Sequence, residues 1–169
     1  PSRQARASAG TRDTIQGVLS AVDRVELLAW LAAKPFVRTW DDVILVHGAL
    51  PDHMEYLATA QDALTCFDVM PGPLCFIGHT HLAECFQRRG SSLFCDQISL
   101  ATGGKIVLES ALRYIVNPGS VGQPRDANPA ASYGLWDTEA RTIEIRRVAY
   151  DIAAVQQKIS RLRRNDLQR

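Results

Sequence analysis

Four histidines hold most of the chemistry this sequence can do: His47, His53, His79 and His81. Three of them stand at the ends of short apolar runs. Val43 to Val46 stops at His47-Gly48, and Leu74 to Ile77 runs into Gly78-His79-Thr80-His81. His79 and His81 are two residues apart, and in extended backbone the side chains at i and i+2 share a face. Gly78 lets the chain turn there without a Cβ clash. If the two runs are neighbouring strands, three imidazoles gather at one rim of a sheet, the usual ligand position in open α/β sheets. Neutral imidazole binds divalent transition metals at about 2.0–2.1 Å. His47, His79 and His81 are therefore candidate metal ligands. The alternative is three separate core histidines, each satisfied locally. His53 lacks the strand-end setting and reads as a loop residue.

Several elements must position these rings. Pro1 to Gly10 reads as a flexible tail, and 11–169 as a single domain. Residues 11–33 are helical in character, with Asp23 as an N-cap and Pro35 as the stop. Val43–Val46 and Leu74–Ile77 are short, continuous apolar runs of the buried-strand type. Residues 52–65 are expected to be helical, with Met54, Leu57, Ala58 and Leu64 on one side. Pro71-Gly72-Pro73 is a firm break. Further strands are expected at 84–88, 105–108, 114–117, 132–136 and 142–149. The turns between them fall at Gly90, Gly103-Gly104 and 117–129. A last helix from about Asp151 to Asn165 presents Ile152, Val155, Ile159 and Leu162. Helices first, strands in the middle and a closing helix predict an α/β protein with layered α+β packing around one sheet core.

Composition narrows the class. The chain has 169 residues, 46% hydrophobic and 22% charged, which fits one soluble globular domain. Nineteen basic against eighteen acidic residues leave a net charge of +1. That balance argues against holding nucleic acid or anionic lipid by bulk charge. No run approaches the ~18–20 apolar residues that span a bilayer, so no membrane partner is expected. The first ten residues are polar and basic, unlike a secretory signal. Cys66, Cys75, Cys85 and Cys95 form no CxxC pair and read as buried thiols of a reducing, cytoplasmic protein. Arg161-Leu162-Arg163-Arg164 reads as the solvated face of the last helix.

Three motifs in order carry a family signal: Val46-His47-Gly48, Gly78-His79-Thr80-His81, and Asn117 to Asp126 (NPGSVGQPRD). Together they resemble the C-terminal motifs of the calcineurin-like metallophosphoesterases, specifically the small bacterial and archaeal phosphodiesterase branch. Tyr56-Leu57, Ala131-Ser132-Tyr133 and Val148-Ala149-Tyr150-Asp151 agree with it, and the resemblance covers roughly residues 20–160. It implies the C-terminal part of an αββα sandwich with mixed sheets. It also implies a hydrolase of phosphomono- or phosphodiesters using two divalent ions, Mn²⁺, Zn²⁺, Fe²⁺ or Ni²⁺. On the family pattern, His47 and His79 bind one ion and His81 the other. The resemblance further implies a phosphoester substrate and a homo-oligomer. Arg125, in the NPGSVGQPRD loop, suits bidentate contact with a phosphate and is a candidate substrate-binding residue.

The sequence departs from the family in its first half. D-x-H, G-D-x-x and G-N-H-[DE], the motifs that supply the family's carboxylates, an Asn ligand and a catalytic histidine, are absent from this chain. Gly10-Thr11-Arg12-Asp13 stands where a decayed G-N-H-D would fall. Two cations about 3.5–4 Å apart repel and need anionic ligands, which three neutral imidazoles do not supply. Asp41, Asp42, Asp52 and Asp96 are conceivable substitutes, with nothing in their spacing to favour them. The chain therefore reads as part of a phosphoesterase, with no catalytic residue of its own. The alternative is a catalytically inactive relative that serves as a metal-binding or protein-interaction module.

Overall fold

The computed structural model describes residues 21–166 apart from position 51, with side chains described from 25 to 160. The tail Pro1 to Gly10, the Gly10–Asp13 stretch and the side chains of Arg161 to Arg164 lie outside the described residues. In chain order the elements are α1 (Ala21–Ala32), β1 (Val37–Trp40), β2 (Val43–Val46), α2 (Ala60–Val69), β3 (Leu74–Phe76) and β4 (Ala83–Arg89). Then come β5 (Asp96–Ser99), β6 (Gly104–Val107), β7 (Leu112–Pro118), β8 (Ala131–Asp137), β9 (Thr142–Val148) and α3 (Ile152–Asp166). The described residues fall into two compact units: one holds α1 and α3, and the other spans residues 36–150. Among the described residues, no helix is long and apolar enough to cross a membrane.

In the larger unit, β2, β3 and β7 run parallel at the centre of a six-stranded mixed sheet, order β1-β2-β3-β7-β4-β5. The flanking pairs β1–β2, β7–β4 and β4–β5 are antiparallel. A second sheet, β6-β9-β8, is antiparallel throughout. Alternate residues of each central strand serve two layers, as the period of two demands. Ile44, Cys75, Ile115 and Phe86 face α2, where Ala63, Cys66 and Phe67 cover them. Val43, Leu74, Val116 and Cys85 face Ile106, Ile143 and Ile145 of the second sheet. The unit is thus helix on sheet on sheet, the layered α/β class that the sequence predicts. Phe67 and Phe86 are fully buried, and each such side chain contributes about 1.5–3 kcal/mol.

Two expectations change. The helix placed at 52–65 begins at Ala60. Asp52 partners the loop before it, taking the Met54 amide on Oδ1 and the Ala49 and Glu55 amides on its carbonyl. Thr59 then caps α2: the Asp62 amide donates to Thr59 Oγ1 at 3.2 Å, and the Thr59 amide donates to Asp62 Oδ2 at 2.9 Å. Strands β1 and β5 were not expected. Both are sheet edges with mostly exposed side chains, so neither carries an apolar alternation to read.

Candidate functional site

Because β2, β3 and β7 are parallel, their C-terminal ends open on one rim. His47 follows β2 directly, and Gly78 to His81 follows β3 by one residue. The two segments are tied together: the Gly78 amide donates to the His47 carbonyl at 2.8 Å. A Cβ on Gly48 would lie 2.2 Å from the His53 carbonyl oxygen, so the loop closes only over glycine.

His47 Nε2 and His79 Nδ1 lie 3.2 Å apart, with their rings edge to face at 5.0 Å. The route to this contact differs from the expected one. His79 and His81 have φ of 65° and 61°, so the HxH segment is a left-handed turn and not extended strand. The Thr80 amide donates to the Gly78 carbonyl at 2.7 Å within that turn. Asn117, completely buried at the end of β7, holds it from beneath. Its Nδ2 donates to the Gly78 carbonyl at 2.9 Å and to Thr80 Oγ1 at 2.8 Å, while its Oδ1 accepts from the Gly119 amide.

His81 is fixed from the NPGSVGQPRD loop. Its Nδ1 lies 2.8 Å from the Gln123 carbonyl oxygen. A carbonyl only accepts, so Nδ1 bears the proton and Nε2 keeps its lone pair. The Arg125 amide donates to the His81 carbonyl at 3.2 Å. The same loop is anchored by Asp126, whose carboxylate takes the Ala83 amide and pairs with Arg147.

The electrostatics favour the neutral form of His47 and His79. Burial lowers the His47 pKa, and the charge of His81 lowers it further. Burial also lowers His79; His47, His81 and Arg125 add to the effect, and the Met54 carbonyl opposes it as a hydrogen-bond acceptor. His47 and His79 therefore resist protonation, each lying within the field of its neighbours. The guanidinium of Arg125 acts on the same site from the exposed loop.

These donors fit one part of a metal centre. Nitrogens 3.2 Å apart, each about 2.0–2.1 Å from one ion, would subtend about 100°, between octahedral and tetrahedral angles. Yet among the described residues no group of three or more His, Cys, Asp or Glu side chains is placed to hold an ion. The candidate substitutes are engaged elsewhere or outside such a group: Asp52 organises its loop, and Asp96 accepts from Gln87. The set fits the nitrogen side of one ion and not a pair of ions.

Sequence reasoning placed Asn117, Gln123 and Tyr56 within family-like stretches but gave none of them a role; the Tyr56 ring stacks on His79 at 4.1 Å and 21°. Gln123 acts through its carbonyl, which no residue type betrays. Asn117 begins NPGS, and that motif was the available signal. His53 is a half-buried loop residue stacked on Phe36. The four cysteines are free, three of them buried.

No family model matches the chain. A protein of Methanocaldococcus jannaschii, itself uncharacterized, is 42% identical over 88 residues, or 52% of this chain and 33% of that protein. The crystal structure of a metallophosphoesterase from Sphaerobacter thermophilus matches with a TM-score of 0.71 and 34% identity, covering 85% of this chain and 58% of that one. The chain thus spans less than two thirds of either. With its mixed sheet, its helices and this match at 34% identity, the chain has a metallophosphoesterase fold.

Proposed function

We propose that this chain carries the imidazole side of a metal-dependent phosphoesterase centre, in a protein that hydrolyses phosphomono- or phosphodiesters. The observation that supports it most is the His47–His79 contact at 3.2 Å. His47 and His79, the pair in contact, would hold the metal, and His81 is proposed as a further ligand, with Mn²⁺, Zn²⁺, Fe²⁺ and Ni²⁺ as the candidate ions. A divalent ion, when bound, supplies Lewis-acid neutralisation of charge on the phosphoryl group. The chain's own residues do the rest. Lowered pKa values keep His47 and His79 unprotonated near pH 7. The Gln123 carbonyl holds His81 in the tautomer that presents Nε2. Arg125 binds and orients the phosphoryl oxygens through its planar fork. Self-association and a cytoplasmic location belong to the same proposal, the latter supported by four free thiols.

The absence of a carboxylate-bearing donor group among the described residues favours a second reading, a catalytically inactive relative that binds metal or a protein partner. Titration of the chain with Zn²⁺ and Mn²⁺, set beside His47→Ala and His79→Ala, tests the shared claim. Saturable binding lost in both variants supports it; equal binding by all three proteins contradicts it.

A further inference from the structure

Gln97 lies on edge strand β5, opposite Phe86 of β4, and so faces the α2 layer. Its Nε2 donates in two directions: to Glu84 Oε2 at 2.8 Å and to the Ala58 carbonyl at 3.1 Å. Glu84 is 5% exposed, and its Oε1 has no partner among the described residues. Burying a carboxyl with one oxygen unpaired costs folding free energy, so its presence needs an account. A carboxyl oxygen without a proton only accepts, so Glu84 Oε2 turns the nitrogen of the Gln97 amide inward. The second N–H of that nitrogen then reaches the Ala58 carbonyl.

Ala58 is held from both sides. Its amide, with that of Thr59, donates to Asp62 Oδ2 of α2, while its carbonyl is taken by Gln97. Cys95 adds a weaker tie, its thiol donating to the Ala60 carbonyl at 3.3 Å. Upstream in the same loop is the Tyr56 side chain, whose ring stacks on His79 at 4.1 Å. We propose that Gln97, oriented by Glu84, is a positioning residue for His79 that acts through the 52–59 loop. The inference rests on the metal-centre reading for its consequence, and on geometry alone for the clamp. Groups in direct contact with a metal ligand govern metal affinity by about 10–100-fold; Tyr56 is that group here, and Gln97 acts through it.

The test uses the full chain with Gln97→Leu, Gln97→Glu and Glu84→Gln. Gln97→Glu keeps the length but cannot donate to the Ala58 carbonyl; Glu84→Gln can still accept from Gln97. Amide hydrogen exchange over residues 52–58 is expected to quicken about tenfold in both Gln97 variants and to stay near wild type in Glu84→Gln. Zinc affinity, followed by titration at a temperature where circular dichroism shows the sheets intact, is expected to fall about tenfold in the same two variants. Should Gln97→Leu fail to fold, Gln97→Glu decides alone. Unchanged exchange in the Gln97 variants overturns the clamp, and quickened exchange with unchanged zinc affinity overturns the positioning role. A wild-type chain that binds no zinc overturns the metal reading instead, and the exchange data still decide the clamp.

Discussion

His47 Nε2 and His79 Nδ1 meet at 3.2 Å although 32 residues separate them in the chain. Parallel pairing of β2 and β3 brings the two strand ends together. Asn117 then fixes the left-handed turn that aims the second ring. Two imidazole nitrogens so close cannot both carry protons without repulsion, which is why the contact bears on titration and on metal affinity.

The pH dependence follows from that contact. Burial and neighbouring charge hold His47 and His79 below the ordinary histidine value of 6.5. The unfolded chain therefore binds protons that the folded chain refuses, and stability rises with pH in that window. The contribution is complete above pH 6.5 and is lost as pH falls through the lowered folded values. Denaturant midpoints are expected to drop between pH 7 and pH 5, and the His47→Ala, His79→Ala double variant to flatten that part of the curve.

Asp126 and Arg147 form a pair whose side chains are 6% and 9% exposed. Burial alone would raise the Asp126 pKa; the Arg147 hydrogen bond, the Ala83 and Asn128 amides and the Arg147 charge together bring it below the ordinary value. Its contribution is thus present above the unfolded value and lost as pH falls through the folded one. Asp126→Ala strands a buried guanidinium and is expected to cost about 3–5 kcal/mol, measured by chemical denaturation. The loop that places Gln123 on His81 should loosen in the same variant.

Gly48→Ala would place a methyl 2.2 Å from the His53 carbonyl oxygen. The 48–59 loop must move, at a cost of about 1–3 kcal/mol. Because this loop carries Tyr56 and Met54, zinc binding is expected to weaken even at temperatures where circular dichroism shows the sheets intact.

Strands were legible at residues 43–46 and 74–77 as continuous apolar runs and at 142–149 as an alternation, while their order in the sheets was not. Edge strands β1 and β5 were hidden by their exposed side chains. The α2 start is set by the Thr59-x-x-Asp62 capping box, whereas the expected helix at 52–65 rested on the apolar spacing of Met54, Leu57, Ala58 and Leu64. The HxH motif was read on an extended backbone that the structure does not have: positive φ at His79 and His81 accompanies the contacts from Asn117 and the NPGSVGQPRD loop.

Three neutral imidazoles give no anionic bridge for two cations. The chain on its own is therefore expected to show no turnover of bis(p-nitrophenyl) phosphate with added Mn²⁺. Robust hydrolysis abolished by His79→Ala would contradict that expectation and show that the chain supplies further ligands.

Diffraction from a zinc-loaded crystal, collected at the zinc absorption edge, tests the central claim most directly. One anomalous peak in contact with His47 Nε2 and His79 Nδ1, and approached by His81 Nε2, is the predicted result. A saturated protein whose zinc lies away from these rings, or whose His47 and His79 remain hydrogen-bonded to each other with no ion between them, would contradict it.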